Sequence, residues 1–215
     1  MHKKEAYIVG AGTYGEVMYE LATLLGYKIL GFYDEDETKL NKKVMEVEVI
    51  GKFSKLSEGE IENKNFIVAI GNNFIRYDIM TKINELGGNT PTLIHPRATI
   101  SPSAQIGKGV YIQANAYIWT KVKIDDYCII GPNVVIGHHT SIGKACLISN
   151  VSGVGASITI RDRVFIGMGA TIVIGLKSIG ENSIIGAGSV VLKDLDKNSV
   201  YAGVPAKKIK EVGTI

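Results

Sequence analysis

Fourteen successive positions spaced six residues apart carry a β-branched aliphatic: Ile94, Ile100, Ile106, Ile112, Ile118, Ile124, Ile130, Ile136, Ile142, Ile148, Val154, Ile160, Ile166 and Ile172. An amphipathic helix repeats near 3.6 residues and a strand repeats at two, so neither makes a period of six. The period predicts short strands separated by regular corners, each strand turning one aliphatic inward. The positions two residues earlier agree. Ala98, Ala104, Val110, Ala116, Val122, Cys128, Val134, Thr140 and Cys146 are all small or β-branched. Glycine follows the aliphatic at 107, 131, 137, 143, 155 and 167, where a corner is expected to need unusual backbone angles. This is the hexapeptide pattern of a parallel β-helix, a quasi-one-dimensional solenoid. The register slips once after Ile172 and resumes at Ile179, Ile185 and Val191, placing an extra residue between Ile174 and Ser178. Such a bulged corner is either incidental or shapes a ligand groove. The segment from Tyr201 to Lys207 breaks the repeat and is expected to cap the last coil, which would otherwise expose a strand edge.

The first ~90 residues follow another rhythm. Ala6 to Val9 reads as a buried strand running into Gly10-Ala11-Gly12, and a helix follows from about Tyr14 with Val17, Leu21, Leu24 and Leu25 on one face, closing at Gly26. Lys28 to Tyr33 is a second strand ending at Asp34. A charged loop from Asp34 to Lys43 leads to a weak strand near Val47 to Ile50. Phe66 to Ile70 is a further buried strand, and Gly71-Asn72-Asn73 opens a helix that buries Ile75, Ile79, Ile83 and Leu86 before Gly87-Gly88 stops it. Strands alternating with helices indicate a small parallel α/β sheet of Rossmann-like type. Two domains are therefore expected, residues 1–92 and 93–215.

Hydrophobic residues make up 46% of the chain and charged residues 21%, a balance that gives a soluble protein enough apolar surface for a core. The net charge of +3 is too small to argue for nucleic acid, and no basic patch with interleaved aromatics appears. The strongest local basic cluster, Lys207-Lys208 with Lys210, reads as a solvated end that a phosphate-bearing ligand could use. Cys128 and Cys146 are 18 residues apart, one full turn of three strands, so they are expected to stack in the core as small hydrophobic filler. They do not form a metal pair, and nothing suggests a disulfide-built secreted domain. The opening MHKKEAYIVGAG has neither the apolar segment nor the cleavage site of a signal peptide, and no run approaches a membrane span. Cytoplasmic residence is the default expectation.

Gly10-Ala11-Gly12-Thr13-Tyr14-Gly15 satisfies G-x-G-x-x-G between a strand and a helix, and Asp34 ends the next strand where a ribose-binding acid is expected. Glycines let the backbone approach a pyrophosphate, and the helix N-terminus supplies amide donors and a favourable dipole. About 90 residues is too short for a full dinucleotide fold, so the motif reads as a half-size domain holding one nucleotide diphosphate such as a nucleotide-sugar. Gly10, Gly12, Thr13, Tyr14 and Asp34 are the candidate contacts. A turn needed only for packing is the alternative. Asn72 lies at another strand's carboxyl end, on the same rim, or serves as a plain helix cap.

Four histidines are present. His2 is terminal, and His95 precedes a proline at the domain junction and reads as structural. His138 and His139 fall at a solenoid corner where side chains point outward. A zinc site needs three ligands gathered together, which the chain lacks, so no metal is expected. Two adjacent outward histidines read either as plain surface residues or as candidates for general-base work, which suits an imidazole near neutral pH.

Gly10-Ala11-Gly12, Asp34, Gly71-Asn72-Asn73, Ile136-Gly137-His138 and Gly203-Val204-Pro205-Ala206-Lys207, in this order along essentially the whole chain, resemble the sialic acid O-acetyltransferase / nucleotide-amino-sugar N-acetyltransferase family of hexapeptide-repeat acyltransferases. The resemblance implies a left-handed parallel β-helix behind the α/β domain, and a homotrimer with acetyl-CoA in grooves between neighbouring solenoids. It implies that the amino-terminal domain holds a UDP-, dTDP- or GDP-linked 4-amino-4,6-dideoxyhexose used in surface-glycan synthesis. The family's catalytic histidine falls on His138, which would take a proton from the sugar amine as that amine attacks the thioester. Ala156 becomes the candidate oxyanion amide, and Gly186, Ala187 and Pro205 to Lys207 the coenzyme groove.

Two positions depart from the family. His139 stands where the family usually has Glu or Asp, and Leu147 where it often has a second histidine. A neutral histidine orients its neighbour through a hydrogen bond but does not stabilise an imidazolium as an anion does. O-acetylation of sialic acid or a related sugar, and a non-catalytic sugar-nucleotide-binding protein, are the other readings.

Overall fold

The computed structural model describes residues 4–213; His2 lies outside them. The chain forms two compact units, Met1–Leu93 and Ile94–Ile215.

The first unit is built on β1 (Lys4–Val9), α1 (Thr13–Leu24), β2 (Tyr27–Tyr33), β3 (Lys43–Val44), β4 (Val47–Gly51), α2 (Glu58–Ile61), β5 (Phe66–Val68) and α3 (Asn73–Glu85). Its sheet runs in the order β3-β4-β2-β1-β5. Four strands are parallel, and β3 pairs antiparallel with β4. The charged loop expected from Asp34 to Lys43 ends in β3, one strand of a small hairpin whose two residues are too few for a hydrophobicity reading to reveal. The buried strand after Asn65 stops at Val68, two residues earlier than its apolar run.

In both expected helices, α1 and α3, the buried face is rotated from the expected one and keeps only Leu21 and Ile83 of it. In α1 the buried residues are Gly15, Met18, Leu21 and Ala22, while Val17 and Leu24 are 45% and 57% exposed. Gly15 sets this rotation: a Cβ there would stand 2.3 Å from the Gly10 carbonyl oxygen, so only glycine lets that side of the helix meet β1. In α3 the buried residues are Asn73, Arg76, Met80 and Ile83, and Ile75 is exposed. An arginine thus takes a position where hydropathy expects an aliphatic.

The second unit is a left-handed parallel β-helix of two-residue strands stacked in three sheets of six, five and eight strands, the last including the longer strands Ser199–Ala202 and Lys207–Glu211 of a terminal hairpin. Each strand pairs with the strand 18 residues before and after it, as Val135 does with Tyr117 and Gly153. Ile112, Ile130, Ile148 and Ile166 are each fully buried in a single continuous core. Across the slip the pairing is Thr159 with Ser178, an offset of 19 that places the extra residue in the loop holding Gly175. Cys128 and Cys146 are buried free thiols that donate to the carbonyls of Gly143 and Arg161 at 3.0 and 3.1 Å. Burial and the contact with Cys128 push the Cys146 thiol well up, so it stays protonated.

The corner glycines answer to another cause than the expected one. Gly107, Gly131, Gly137, Gly143, Gly155 and Gly167 are absent from the positive-φ residues. Positive φ falls two positions later, on Asn115, Lys121, Tyr127, Asn133, His139, Ala145, Val151, Ser157 and Arg163. What requires glycine is the spacing of the coils: a Cβ at Gly137 would lie 2.8 Å from the Ala156 amide nitrogen of the next coil. The terminal hairpin pairs Ser199–Ala202 with Lys207–Glu211 and closes the stack. No helix of the described residues is long and apolar enough to cross a membrane.

Candidate active site

In the first unit the chain passes from β1 through α1 to β2 and β4, then returns to place β5 on the other side of β1. The order reverses between β1 and β5, and such a switch point opens a crevice at the strands' carboxyl ends. Gly10-Ala11-Gly12 leaves β1 there, and Gly71-Asn72-Asn73 follows β5. Gly10 has φ +104° and packs against Ala69, and Gly15 packs against Gly10, so both glycines are explained by the fold. Gly12 and Gly71 are not: neither has positive φ, and a Cβ on either would meet nothing within 4 Å. Among the described residues, the backbone N–H groups of Gly12, Thr13, Gly71 and Asn72 have no acceptor. Two open glycines and four undirected amides at a switch point suit a diphosphate.

Asp34 lies beside this rim with its side chain 14% exposed. Its Oδ2 accepts from the Ala11 amide at 2.8 Å and the Lys39 ammonium at 2.9 Å, and its Oδ1 accepts from the Asp36 amide at 2.9 Å. Burial alone would raise its pKa. The hydrogen bonds from Asp36, Lys39 and Ala11 outweigh burial and hold the carboxyl below its ordinary value. Asp34 therefore ties the glycine-rich turn to the end of β2. Thr13 opens α1 and is exposed, and Tyr14, the next residue, is partly buried. Asn72 caps α3, its Oδ1 accepting from Phe74 and Ile75 amides at 3.0 and 3.1 Å, which leaves its amide group to donate outward.

In the second unit His138 and His139 occupy the corner between the six-stranded and five-stranded sheets, and both are exposed. His139 has φ +59°, which folds its ring back beside its neighbour. The two Nδ1 atoms are 3.1 Å apart and the rings are perpendicular. One nitrogen must donate and the other accept, so the pair holds a single proton between them. Trp119, one coil earlier, stands with its ring centre 6.2 Å from that of His138. Sequence reasoning passed over Trp119, although reading the ladder at its 18-residue offset sets it beside Gly137. The Gly155–Ala156 peptide of the next coil stacks over Gly137. At another corner the Lys108 and Lys144 amides are taken by Asp126 and Asp162. The amides of His138 and Ala156 have no acceptor among the described residues, so donors stand ready beside the imidazole. Leu147 is half-buried on a strand of the eight-stranded sheet.

Gly186 and Ala187 lie at a different corner, between the eight-stranded and six-stranded sheets. Pro205 lies in the terminal turn and Lys207 opens the hairpin's second strand, with the turn anchored by the Ala206 amide on the Val190 carbonyl at 2.8 Å. One chain does not bring these residues to His138. His95 accepts the Arg97 amide on Nδ1 at 3.0 Å, a structural contact. Among the described residues no cluster of His, Cys, Asp or Glu could hold a metal ion.

Residues 5–83 match the PglD N-terminal domain and residues 103–138 the bacterial transferase hexapeptide (six repeats). The crystal structure of PerB from Caulobacter crescentus, in complex with CoA and GDP-perosamine, is 30% identical with a TM-score of 0.85, covering 97% of this chain and 98% of that one. The acetyltransferase domain of PglB from Neisseria gonorrhoeae is also 30% identical, with a TM-score of 0.71 over 96% of this chain and all of that one. Galactoside O-acetyltransferase of Escherichia coli is 38% identical over 114 residues, which is 50% of this chain and 53% of that protein. The chain spans about half the length of the curated relatives it matches. A hexapeptide solenoid is common to many transferases, but likeness at 30% identity across both units narrows the kinship. The chain belongs to the hexapeptide-repeat, left-handed β-helix acyltransferases, in the sialic acid O-acetyltransferase / nucleotide-amino-sugar N-acetyltransferase family.

Proposed function

We propose that the chain transfers an acetyl group from acetyl-CoA to the amine of a nucleotide-linked 4-amino-4,6-dideoxy sugar, in surface-glycan biosynthesis. The observation that carries this reading is the whole-length likeness to PerB, a protein crystallised with both CoA and GDP-perosamine. In this reading residues 1–92 bind the nucleotide-sugar and residues 93–215 carry out the transfer. Gly10, Gly12, Thr13, Tyr14 and Asn72 surround the diphosphate and Asp34 meets the ribose. Ala156, Gly186, Ala187, Pro205 and Lys207 line the coenzyme groove. His138 and Ala156 lie on one corner and Gly186 on another, which supports a homotrimer whose grooves are completed by a neighbouring copy.

His139 accepts the His138 Nδ1 proton, which leaves the His138 Nε2 lone pair as the base. His138 removes a proton from the amine as it forms the new C–N bond, then returns that proton to the departing thiolate. The Ala156 amide donates to the oxygen that gains charge during the attack. Replacing His138 by alanine is expected to lower turnover by about 10²- to 10⁴-fold, the usual reach of general-base help, while acetyl-CoA still binds. A thiol-release assay with UDP-, dTDP- and GDP-linked amino sugars checks it; near-wild-type turnover in the variant would refute the assignment.

A hydroxyl acceptor is the second reading, supported by the match to galactoside O-acetyltransferase. That match covers half of this chain, and hydroxyl sugars in the same assay panel decide between the two. Nucleotide binding without thiol release from any acceptor would favour a non-catalytic binding protein.

A further inference from the structure

Arg76 is fully buried, and no step of the proposed reaction uses it. It sits one turn into α3, where the helix presents its inner face. A helical side chain leans back toward the N-terminus of its helix, and the guanidinium follows that direction to the loop after β5. Its Nη1 donates to the carbonyls of Ile70 and Gly71 at 3.0 and 3.3 Å, and its Nη2 donates to Asn73 Oδ1 at 2.9 Å. These contacts grip the segment whose Gly71 and Asn72 amides lack acceptors among the described residues.

Burying a guanidinium is costly, and a hydrophobic residue of similar volume serves a core at least as well. Met80 and Ile83 fill the next two turns of the same face in that way. The fork of donors offers something an aliphatic does not. With its carbonyls tied inward, a peptide segment has its N–H groups held in one orientation, and a permanent positive charge lies beneath them. Both effects favour an anion over the loop.

We propose that Arg76 is a positioning residue for diphosphate recognition: by holding the Ile70 and Gly71 carbonyls and the Asn73 side chain, it keeps the Gly71 and Asn72 amides set for the phosphates. The inference rests on the nucleotide-sugar reading of this rim. The experiment titrates GDP, UDP, dTDP and CoA separately into the full chain by calorimetry and follows thermal unfolding in parallel. The wild type is expected to bind at least one nucleotide diphosphate. Arg76→Met is expected to weaken that binding roughly ten- to a hundredfold, the scale of a lost charge-assisted hydrogen bond, with CoA affinity changed less than about twofold. Arg76→Lys, which keeps the charge and can reach one carbonyl, is expected to recover part of the loss. Unchanged nucleotide binding in Arg76→Met overturns the proposal, as does a parallel loss of CoA and nucleotide affinity. If Arg76→Met does not fold, Asn73→Ala and Asn73→Asp replace it: the alanine is expected to weaken nucleotide binding and the aspartate, still an acceptor for Nη2, to retain it. Equal binding by those two variants overturns the proposal. A wild type that binds none of the three nucleotides defeats the reading of the rim itself, and the role of Arg76 with it.

Discussion

At the scale of single residues, Asp34 does two things that pull on the same carboxylate. Its oxygens hold the Ala11 and Asp36 amides and the Lys39 ammonium, and the proposed ribose would share them. Because these partners lower its pKa in the folded chain, the carboxylate contributes stability above its unfolded value and loses it as pH falls through the lower, folded one. The stability difference between wild type and Asp34→Asn is therefore expected to be largest at neutral pH. It should close as pH drops below the ordinary value of 3.8. Urea unfolding of both proteins across this range measures it; a difference that stays constant into acid would contradict the assignment. The positions of Asp34 after a strand and of His138 at a solenoid corner were legible in the sequence, whereas the role proposed for His138 came from the family resemblance. Arg76 was not, because hydropathy assigns an arginine to the surface and only the carbonyls around it make burial tolerable.

At the scale of elements, the glycine-rich turn separates into positions that serve packing and positions that leave room. Gly15→Ala drives a methyl against the Gly10 carbonyl oxygen and is expected to destabilise the first unit by about 1–3 kcal/mol, the usual cost of overpacking. Gly12→Ala meets nothing within 4 Å and is expected to leave stability nearly unchanged while weakening nucleotide binding. Thermal unfolding beside GDP, UDP and dTDP titration tests the pair, and equal effects of the two variants on both measurements would refute the division. The same logic corrects the solenoid corners. Their glycines yield to the coil above, while the left-handed backbone falls two residues on, even at Val151 with φ +61°, where a branched side chain is costly. The six-residue spacing revealed the corners. It did not reveal which of their residues bears the unusual angle, because that depends on coil-to-coil contact.

At the scale of the whole molecule, the solenoid leaves apolar side chains on its outside. Tyr117 and Val135 stand on one sheet at 43% and 41% exposure, and Val151 and Met168 are 61% and 54% exposed. In the proposed trimer these exposed apolar groups would face a neighbouring copy, and His138 and Gly186, on different corners, would belong to a groove completed by it. The chain is expected to have the mass of three copies in light scattering. Val135→Glu with Tyr117→Ser is expected to shift it to the monomer and to lower turnover at least tenfold, the order of change from burying an unpaired charge. A wild type that is monomeric and fully active would argue against a shared groove.

The repeat determined the solenoid by itself, because each strand turns one aliphatic inward at a fixed six-residue interval and no other regular structure has that period. The alternation of apolar runs with glycine stops likewise determined the parallel α/β unit before it. Tertiary structure alone decided the faces of α1 and α3, the burial of Arg76, the open space around Gly12 and Gly71, and the 3.1 Å contact between His138 and His139. Each of these depends on how closely two distant pieces of backbone approach and on which direction a carbonyl or amide faces there. A one-dimensional pattern of side chains carries no record of either.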